Sequence, residues 1–362
     1  MPKLRAELTA NLDTVAGMQA ALQNAIELEH ATLPTYLYAM FSIKPDNPKA
    51  NPPYVNPNRE SYNLILSVVL EEMLHMGLAC NILNAIGGSP DIDNPTFIPT
   101  YPGPLPGGVE DDLIVPLAPF SLDLLKNVFM VIEEPEDPQN YPVIKDAEAP
   151  ATELTIGEFY EAIKAGLDAL TKVDPNIWVP NNNQVTGTLP GLTAVNDYPS
   201  AAAAIELIVD QGEGTSTDPM EPGSTTEPAH YYRFEEIVNG RKLVADPTSS
   251  LGYSYSGDPL PFDPTGVYPV VENPKLADYL PETTQAWIAC NAFNSTYSSL
   301  LKCLHSTFNG TPGDMNTAVD LMFTLLSDAG NVMSIDLGNG TNAGPSFEYQ
   351  ADAPNPCSST DS

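Results

Sequence analysis

The chain has few cationic residues and lacks long apolar runs. Both features limit the kinds of partner and the cellular locations that can be expected for it. Its 362 residues carry 14 Lys and Arg against 47 Asp and Glu, which gives a formal charge of −33. Because proteins bind nucleic acids and anionic membranes through cations, neither is expected as a partner. No apolar run approaches the roughly 18–20 residues that span a bilayer, and the first residues lack the apolar core of a secretory signal. A cytoplasmic location is therefore expected.

Cysteine is equally scarce. The 4 cysteines, Cys80, Cys290, Cys303 and Cys357, are scattered and form no CxxC pair. This spacing predicts neither a thiolate zinc site nor a disulfide framework, which agrees with a reducing compartment.

Apolar residues are plentiful and mostly follow a helical period. Four long segments have apolar residues at steps of three and four, and three shorter segments also read as helices. The long segments are 18–40, 65–86, 287–308 and 315–333, and the short ones are 156–171, 200–212 and 228–240. Most of the 37 prolines lie between these segments. The sequence therefore predicts a mainly α-helical bundle with long Pro-rich excursions between the second and third long helices.

Charged residues interrupt the apolar faces of the first two long helices. Glu29 lies in the apolar face of the first, and Glu72 and His75 lie in that of the second. Burying an ionised carboxylate is costly unless a cation or dense hydrogen bonding compensates. Side chains three residues apart on a helix are neighbours, so the E-x-x-H pair Glu72–His75 can bind one divalent metal ion.

The chain has only 4 histidines, and three of them complete an E-x-x-H pair: Glu27–His30, Glu72–His75 and Glu227–His230. A set of six candidate metal ligands follows, namely Glu29, Glu72, His75, Glu213, Glu227 and His230. Four carboxylates and two imidazoles suit two divalent ions, with iron or manganese preferred over copper.

For some of the six candidate ligands, another residue is an alternative. Glu27 competes with Glu29, although it lies on another side of the helix, where it and His30 are expected to be solvated or to line a subsite. Glu206 precedes Glu213 by seven residues and is its alternative. Glu71 is assigned a supporting or catalytic role, and an ion pair with Arg233 is expected for it. Tyr36 is a candidate catalytic residue that is expected to line the cavity.

Several strings together resemble one known family, the iminophenyl-pyruvate dimer synthases, which are the VioB-like proteins of violacein formation. The resemblance rests on residues 27–37 (ELEHATLPTYL), 71–76 (EEMLHM), 81–88 (NILNAIGG), 211–215 (QGEGT) and 230–237 (HYYRFEEI). It is clear over about 15–245 and weaker beyond.

The resemblance implies a ferritin-like helical fold with an iron site. It also implies an oxidative coupling activity on an imine formed from an aromatic amino acid. The expected organisation is a ferritin-like metal-binding domain over 1–245, a Pro/Gly-rich connection over 246–280, a C-terminal helical pair over 281–336 and a loose tail over 337–362. Whether the C-terminal pair completes the metal-binding bundle or packs outside it stays open at this stage.

The leading expectation is a metal-dependent oxidoreductase, with two iron ions, in which dioxygen and a small organic substrate are the partners. A non-redox condensing enzyme or lyase is one alternative. A non-enzymatic iron-binding or stress-related protein is the other. The sequence leaves the substrate and the oligomeric state open.

Overall fold

The long periodic segments form helices, as predicted. The computed structural model describes residues 11–106, 113–135, 156–212, 218–221, 224 and 226–357. Its α-helices are α1 (Val15–Ser42), α2 (Arg59–Ala85), α3 (Leu122–Leu124), α4 (Met130–Ile132), α5 (Ile156–Val173), α6 (Tyr198–Gly212), α7 (His230–Asn239), α8 (Gln285–Phe308) and α9 (Met315–Met333). Strands β1 (Val244–Ala245) and β2 (Tyr253–Ser254) pair antiparallel.

Local sequence explains where several helices begin. The hydroxyl of Thr14 accepts a hydrogen bond from the amide of Gly17 at the start of α1, and Thr284 does the same for Trp287 at the start of α8. Each cap satisfies an amide that the first helical turn leaves without a partner.

Helices α1 and α2 form an inner pair. Helices α5 and α6 contact one side of this pair, and α8 and α9 contact the other side. Most of the second half of α1 is buried all round, whereas α5 buries one stripe that includes Phe159, Ile163 and Leu167. This difference is expected, because an inner helix is covered on both sides and an outer helix on one. The C-terminal pair therefore packs on the α1–α2 pair, opposite α5 and α6.

One helical segment was not predicted from the sequence. Residues 122–132 form α3, a π-helical turn over Leu125–Phe129, and α4. Neighbouring Pro-rich stretches at 90–119 and 135–150 conceal the short apolar run between them. The segment packs against α7 and ends next to Glu133, and π-helical turns frequently lie at functional sites.

Two expectations are wrong for the described residues, that of a loose tail and that of no disulfide, although Cys80 and Cys290 are free and buried. The chain after α9 returns along α8, where the ammonium of Lys302 donates hydrogen bonds to the carbonyl oxygens of Ala351 and Ala353 at 2.6 and 2.7 Å. This return brings Cys357 to a Cα–Cα distance of 4.8 Å from Cys303, and the two form a disulfide. A spacing of 54 residues gives no local signal for such a pair.

Helix α2 is long and apolar enough, by length and composition, to cross a membrane, contrary to the expectation that no segment would be. However, 72% of its most apolar window is buried inside the protein. This burial is typical of a core helix.

Candidate metal centre

Five buried side chains form two clusters that share one carboxylate. Glu29, Glu72 and His75 form the first cluster, and Glu72, Glu133 and His230 form the second. In each cluster the oxygen and nitrogen atoms that can bind a metal lie within 4.8 Å of one another. Helix α1 supplies Glu29, α2 supplies Glu72 and His75, the residue after α4 supplies Glu133, and the first residue of α7 supplies His230.

The two imidazoles are oriented alike, with Nδ1 facing the carboxylates. The Nδ1 atom of His75 lies 3.7 Å from oxygens of both Glu29 and Glu72. The Nδ1 atom of His230 lies 3.0 Å from Oε1 of Glu72 and 3.4 Å from Oε2 of Glu133. Oε1 of Glu72 therefore faces Nδ1 of both imidazoles. The ring centroids are 5.5 Å apart and nearly parallel.

On the other side, each imidazole is held by an outer partner. Nε2 of His230 lies 2.9 Å from the carboxylate of Glu71, and Nε2 of His75 lies 3.1 Å from the amide oxygen of Gln211. Both partners accept hydrogen bonds, so each Nε2 carries the proton and each Nδ1 presents a lone pair inward when the ring is neutral.

The outer partners are themselves connected. Arg233 pairs with Glu71 at 2.9 Å and also with Glu221, and the amide nitrogen of Gln211 donates to Glu221 at 3.4 Å. The path from Glu71 through Arg233 and Glu221 to Gln211 therefore joins the two histidines outside the site. Groups behind a ligating histidine fix its ring orientation and tautomer.

Each buried carboxylate uses one oxygen for a hydroxyl group and turns the other toward an imidazole. Thr32 donates to Oε2 of Glu72 at 2.9 Å, and Tyr36 donates to Oε1 of Glu133 at 2.5 Å. Tyr160 of α5 donates to Oε1 of Glu29. The oxygens that remain are those facing the two Nδ1 atoms.

The donor set fits divalent metal ions. Three buried carboxylates face two imidazoles, and Nδ1 of His230 is buried without a hydrogen-bond partner. Burial and the nearby Glu133 raise the pKa of Glu72 to about 7. Burial alone would lower the pKa of His230, but Glu133, Glu71 and Glu72 raise it well above its ordinary value. A site that so strongly favours added positive charge suits a cation, and oxygen with imidazole donors suits iron or manganese.

A small cavity adjoins the clusters. Its volume is about 30 Å³, and its walls include Glu29, Glu72, His75 and Glu133 together with the apolar side chains of Leu28, Ile132 and Ile208. This volume holds a water-sized or diatomic molecule.

The structure brings together four of the six predicted ligands: Glu29, Glu72, His75 and His230. Glu227 does not join them, because it lies exposed in the chain before α7. Glu213 lies outside the described residues, although the preceding Gly212 lines the cavity.

The competing acids lie elsewhere. Glu206, the alternative to Glu213, is exposed and pairs with Lys164 at 3.0 Å. Glu27, the alternative to Glu29, accepts a hydrogen bond from Gln23 on another face of α1. Of the two expectations for His30, solvation is wrong, since it is 2% exposed and hydrogen-bonds Tyr297 at 2.8 Å, whereas it does line a second cavity.

Glu133 was missed by the sequence analysis. It belongs to no E-x-x-H pair and lies in a segment that was not predicted to be helical. A weak signal exists, because Leu125, Phe129 and Glu133 are spaced by four residues and would share one helix face.

The expected ion pair between Glu71 and Arg233 is present. His230 and Arg233 outweigh burial and hold the pKa of Glu71 at about 2, so Glu71 stays ionised behind His230. Tyr36 is fully buried and positions Glu133. The structure gives both residues positioning contacts, and a catalytic role for either stays a prediction.

Fold and site together define a helical protein with a candidate dinuclear carboxylate–histidine centre. A sequence model of the Ferritin-like family matches residues 22–239, and the chain belongs to this family. The matched region contains all five clustered residues, and the predicted resemblance is confirmed.

The chain is also similar to two known proteins. It is 24% identical to dichlorochromopyrrolate synthase from Lentzea aerocolonigenes, over 93% of this chain and 36% of that protein. The chain thus spans about a third of this relative. The crystal structure of a ferritin-like protein from Caulobacter vibrioides superposes with a TM-score of 0.58 at 24% identity, covering 93% of this chain and 99% of the other. That likeness supports the fold.

Proposed function

We propose that the chain is a metal-dependent oxidoreductase that holds two iron ions at the two clusters and acts with dioxygen on a small organic substrate. The position of Oε1 of Glu72, which faces Nδ1 of both His75 and His230, carries this proposal. A carboxylate that faces two imidazoles could serve as a common ligand of two metal ions. When bound, redox-active ions supply electron transfer and reaction with dioxygen.

The residues of the chain have separate tasks in this proposal. Thr32, Tyr36 and Tyr160 hold the distal carboxylate oxygens, which prevents the three glutamates from turning away. Glu71 and Gln211 fix the imidazoles. Apolar walls from Leu28, Ile132 and Ile208 limit the water that can reach the centre. A dry site with fixed ligands strengthens electrostatic interactions there and suppresses side reactions.

We further propose that the substrate is an imine derived from an aromatic amino acid and that the chain works in secondary metabolism. The family resemblance in the sequence and the name of the Lentzea relative, a synthase, support this assignment. The adjoining cavity of about 30 Å³ is smaller than an aromatic ring needs. Binding of such a substrate therefore requires this cavity to widen.

Anaerobic titration of the chelator-treated chain with Fe(II), followed by exposure to dioxygen, tests the metal-dependent activity. We expect two irons per chain, oxidation of both, and uptake of dioxygen that increases when the imine of an aromatic 2-oxo acid is present. Glu72→Ala and His75→Ala should lower the iron content, because each removes a clustered donor. Glu227→Ala is the matched control, since its carboxylate is exposed.

Three outcomes would contradict the proposal. Full iron content in both Glu72→Ala and His75→Ala would show that the clusters do not hold the metal. Iron uptake far above two per chain would indicate storage. Two bound ions that support imine condensation without consuming dioxygen would indicate the non-redox alternative.

A further inference from the structure

A second and larger cavity lies on the other side of the α1–α2 pair. Its volume is about 160 Å³, and α1, α2, α8 and α9 supply most of its walls. It shares no lining residue with the cavity at the metal centre. Protein interiors contain few voids larger than a water molecule, because an empty void forfeits packing contacts. A void of this size is comparable to the engineered apolar cavity of about 150 Å³ that stays dry and binds benzene.

The walls of this cavity favour an aromatic ring. Five of the 10 methionines in the chain line it. They are Met40, Met73, Met76, Met315 and Met322. Methionine is flexible enough to fit ligands of different outline, and its sulfur makes favourable contacts with aromatic rings.

The chemistry of the lining excludes charged ligands. Among the described lining residues, His30 and Tyr297 are the ones with polar side chains, and they hydrogen-bond to each other at 2.8 Å. No Lys or Arg is among the described lining residues to pair with an anion, and the net charge of −33 repels anions at long range.

The cavity also has an entrance for a ligand. Leu70 of α2 and Phe323 and Leu326 of α9 line it and are 45%, 68% and 39% exposed. A rim of exposed apolar side chains leading into an apolar interior is typical of a small-molecule site.

We propose that this cavity is a binding site for an uncharged molecule with a single aromatic ring. The ring lies among the methionine and leucine side chains, and a hydroxyl or amine on the ring faces the pair formed by His30 and Tyr297. This site is independent of the proposed metal-dependent function, because it is lined by different residues of α1 and α2.

Calorimetric titration of the purified chain with benzene, phenol and benzoate tests the proposal. We expect benzene and phenol to bind and benzoate not to bind. Val319→Phe places a larger side chain in the lining and should weaken benzene binding at least tenfold. Val173→Phe makes the same change at a position that is 86% exposed and should leave binding unchanged. Tyr297→Phe should weaken phenol several-fold and leave benzene unaffected.

Folding is checked separately, by circular dichroism and by metal content, which Val319→Phe should leave at the wild-type value. Absence of benzene and phenol binding, or equal benzene binding by the wild type and Val319→Phe, would overturn the proposal. So would a concentration-dependent dimer that Phe323→Ser dissociates while benzene fails to bind, since a second copy would then be the occupant.

Discussion

Nε2 of His230 lies 2.9 Å from a carboxylate oxygen of Glu71. The equivalent atom of His75 faces the neutral amide oxygen of Gln211 at 3.1 Å. A carboxylate behind an imidazole raises the basicity of the ligating nitrogen more than an amide does. The two metal positions are therefore electrostatically unequal, with the stronger donor at His230.

This inequality predicts stepwise metal binding. Glu71→Gln should weaken the tighter of two binding steps by about 10–100-fold, because the negative charge behind His230 is lost. Gln211→Glu should strengthen the weaker step. Competition with a chromophoric chelator measures both dissociation constants, and Glu60→Gln, at an exposed position on α2, is the control. Unchanged binding in Glu71→Gln would show that the outer carboxylate does not act on the metal position.

The shared carboxylate predicts how metal content responds to each ligand. Glu29→Ala should lose about one ion per chain and keep the His230 position, whereas Glu133→Ala should lose the ion at His230 and keep the other. Elemental analysis gives the counts, and a metal whose spectrum reports its ligands, such as cobalt, distinguishes the two positions. Identical residual spectra from Glu29→Ala and Glu133→Ala would argue against two distinct positions.

Glu235 predicts a pH dependence of stability that is unrelated to the metal centre. Burial raises its pKa to about 7, and the hydrogen bond from Tyr255 offsets only part of that rise. The unfolded carboxyl ionises near its model value of 4.5. Between these pH values the folded state keeps a proton that the unfolded state releases, so stability falls as the pH rises from 4.5 to about 7.

Glu235→Gln removes this ionisation. Its stability relative to wild type should therefore increase between roughly pH 5 and pH 8, by on the order of 2 kcal/mol, and change little above that range. Thermal denaturation of both chains across this range measures the difference, with Glu60→Gln as the exposed control. Parallel stability curves for the wild type and Glu235→Gln would contradict the assignment.

The disulfide predicts a redox-dependent stability. It closes a loop with a sequence separation of 54 residues. Reduction, or Cys303→Ser, should lower the free energy of unfolding by about 3–4 kcal/mol, because a cross-link of this span restricts the unfolded chain. Chemical denaturation with and without reductant measures the loss, and reductant should have no further effect on Cys303→Ser. Equal stability of oxidised and reduced wild type would show that the bond contributes nothing.

The periodicity of apolar residues was sufficient to predict the long helices, because each of them buries a wide apolar stripe. It also singled out Glu29, Glu72 and His75, which form one cluster in the structure, since an ionisable side chain within an apolar stripe is a conspicuous exception. Glu133 was missed for the converse reason. Its helical segment is short, contains a π-helical turn and lies among proline-rich stretches, so no long period surrounds the acid.

Glu227 was predicted as a metal ligand for a different reason that proved wrong. It precedes His230 by three residues, like the acid of a true E-x-x-H pair, but α7 begins at His230 itself. The chain before it is not helical, so the two side chains do not share a helix face. The disulfide and the ordered C-terminal segment were missed because they depend on contacts between residues far apart in the chain.

Helices α1 and α2 each line both cavities, and this affects what substitutions in them are expected to do. Glu29 and His30 are adjacent in the chain, as are His75 and Met76, yet within each pair the first side chain faces one cavity and the second faces the other. Substitutions at adjacent positions of either helix are thus expected to give two different phenotypes, one in metal loading and one in the uptake of apolar compounds. Neighbouring positions could consequently diverge under separate selective pressures without passing through a common intermediate defect.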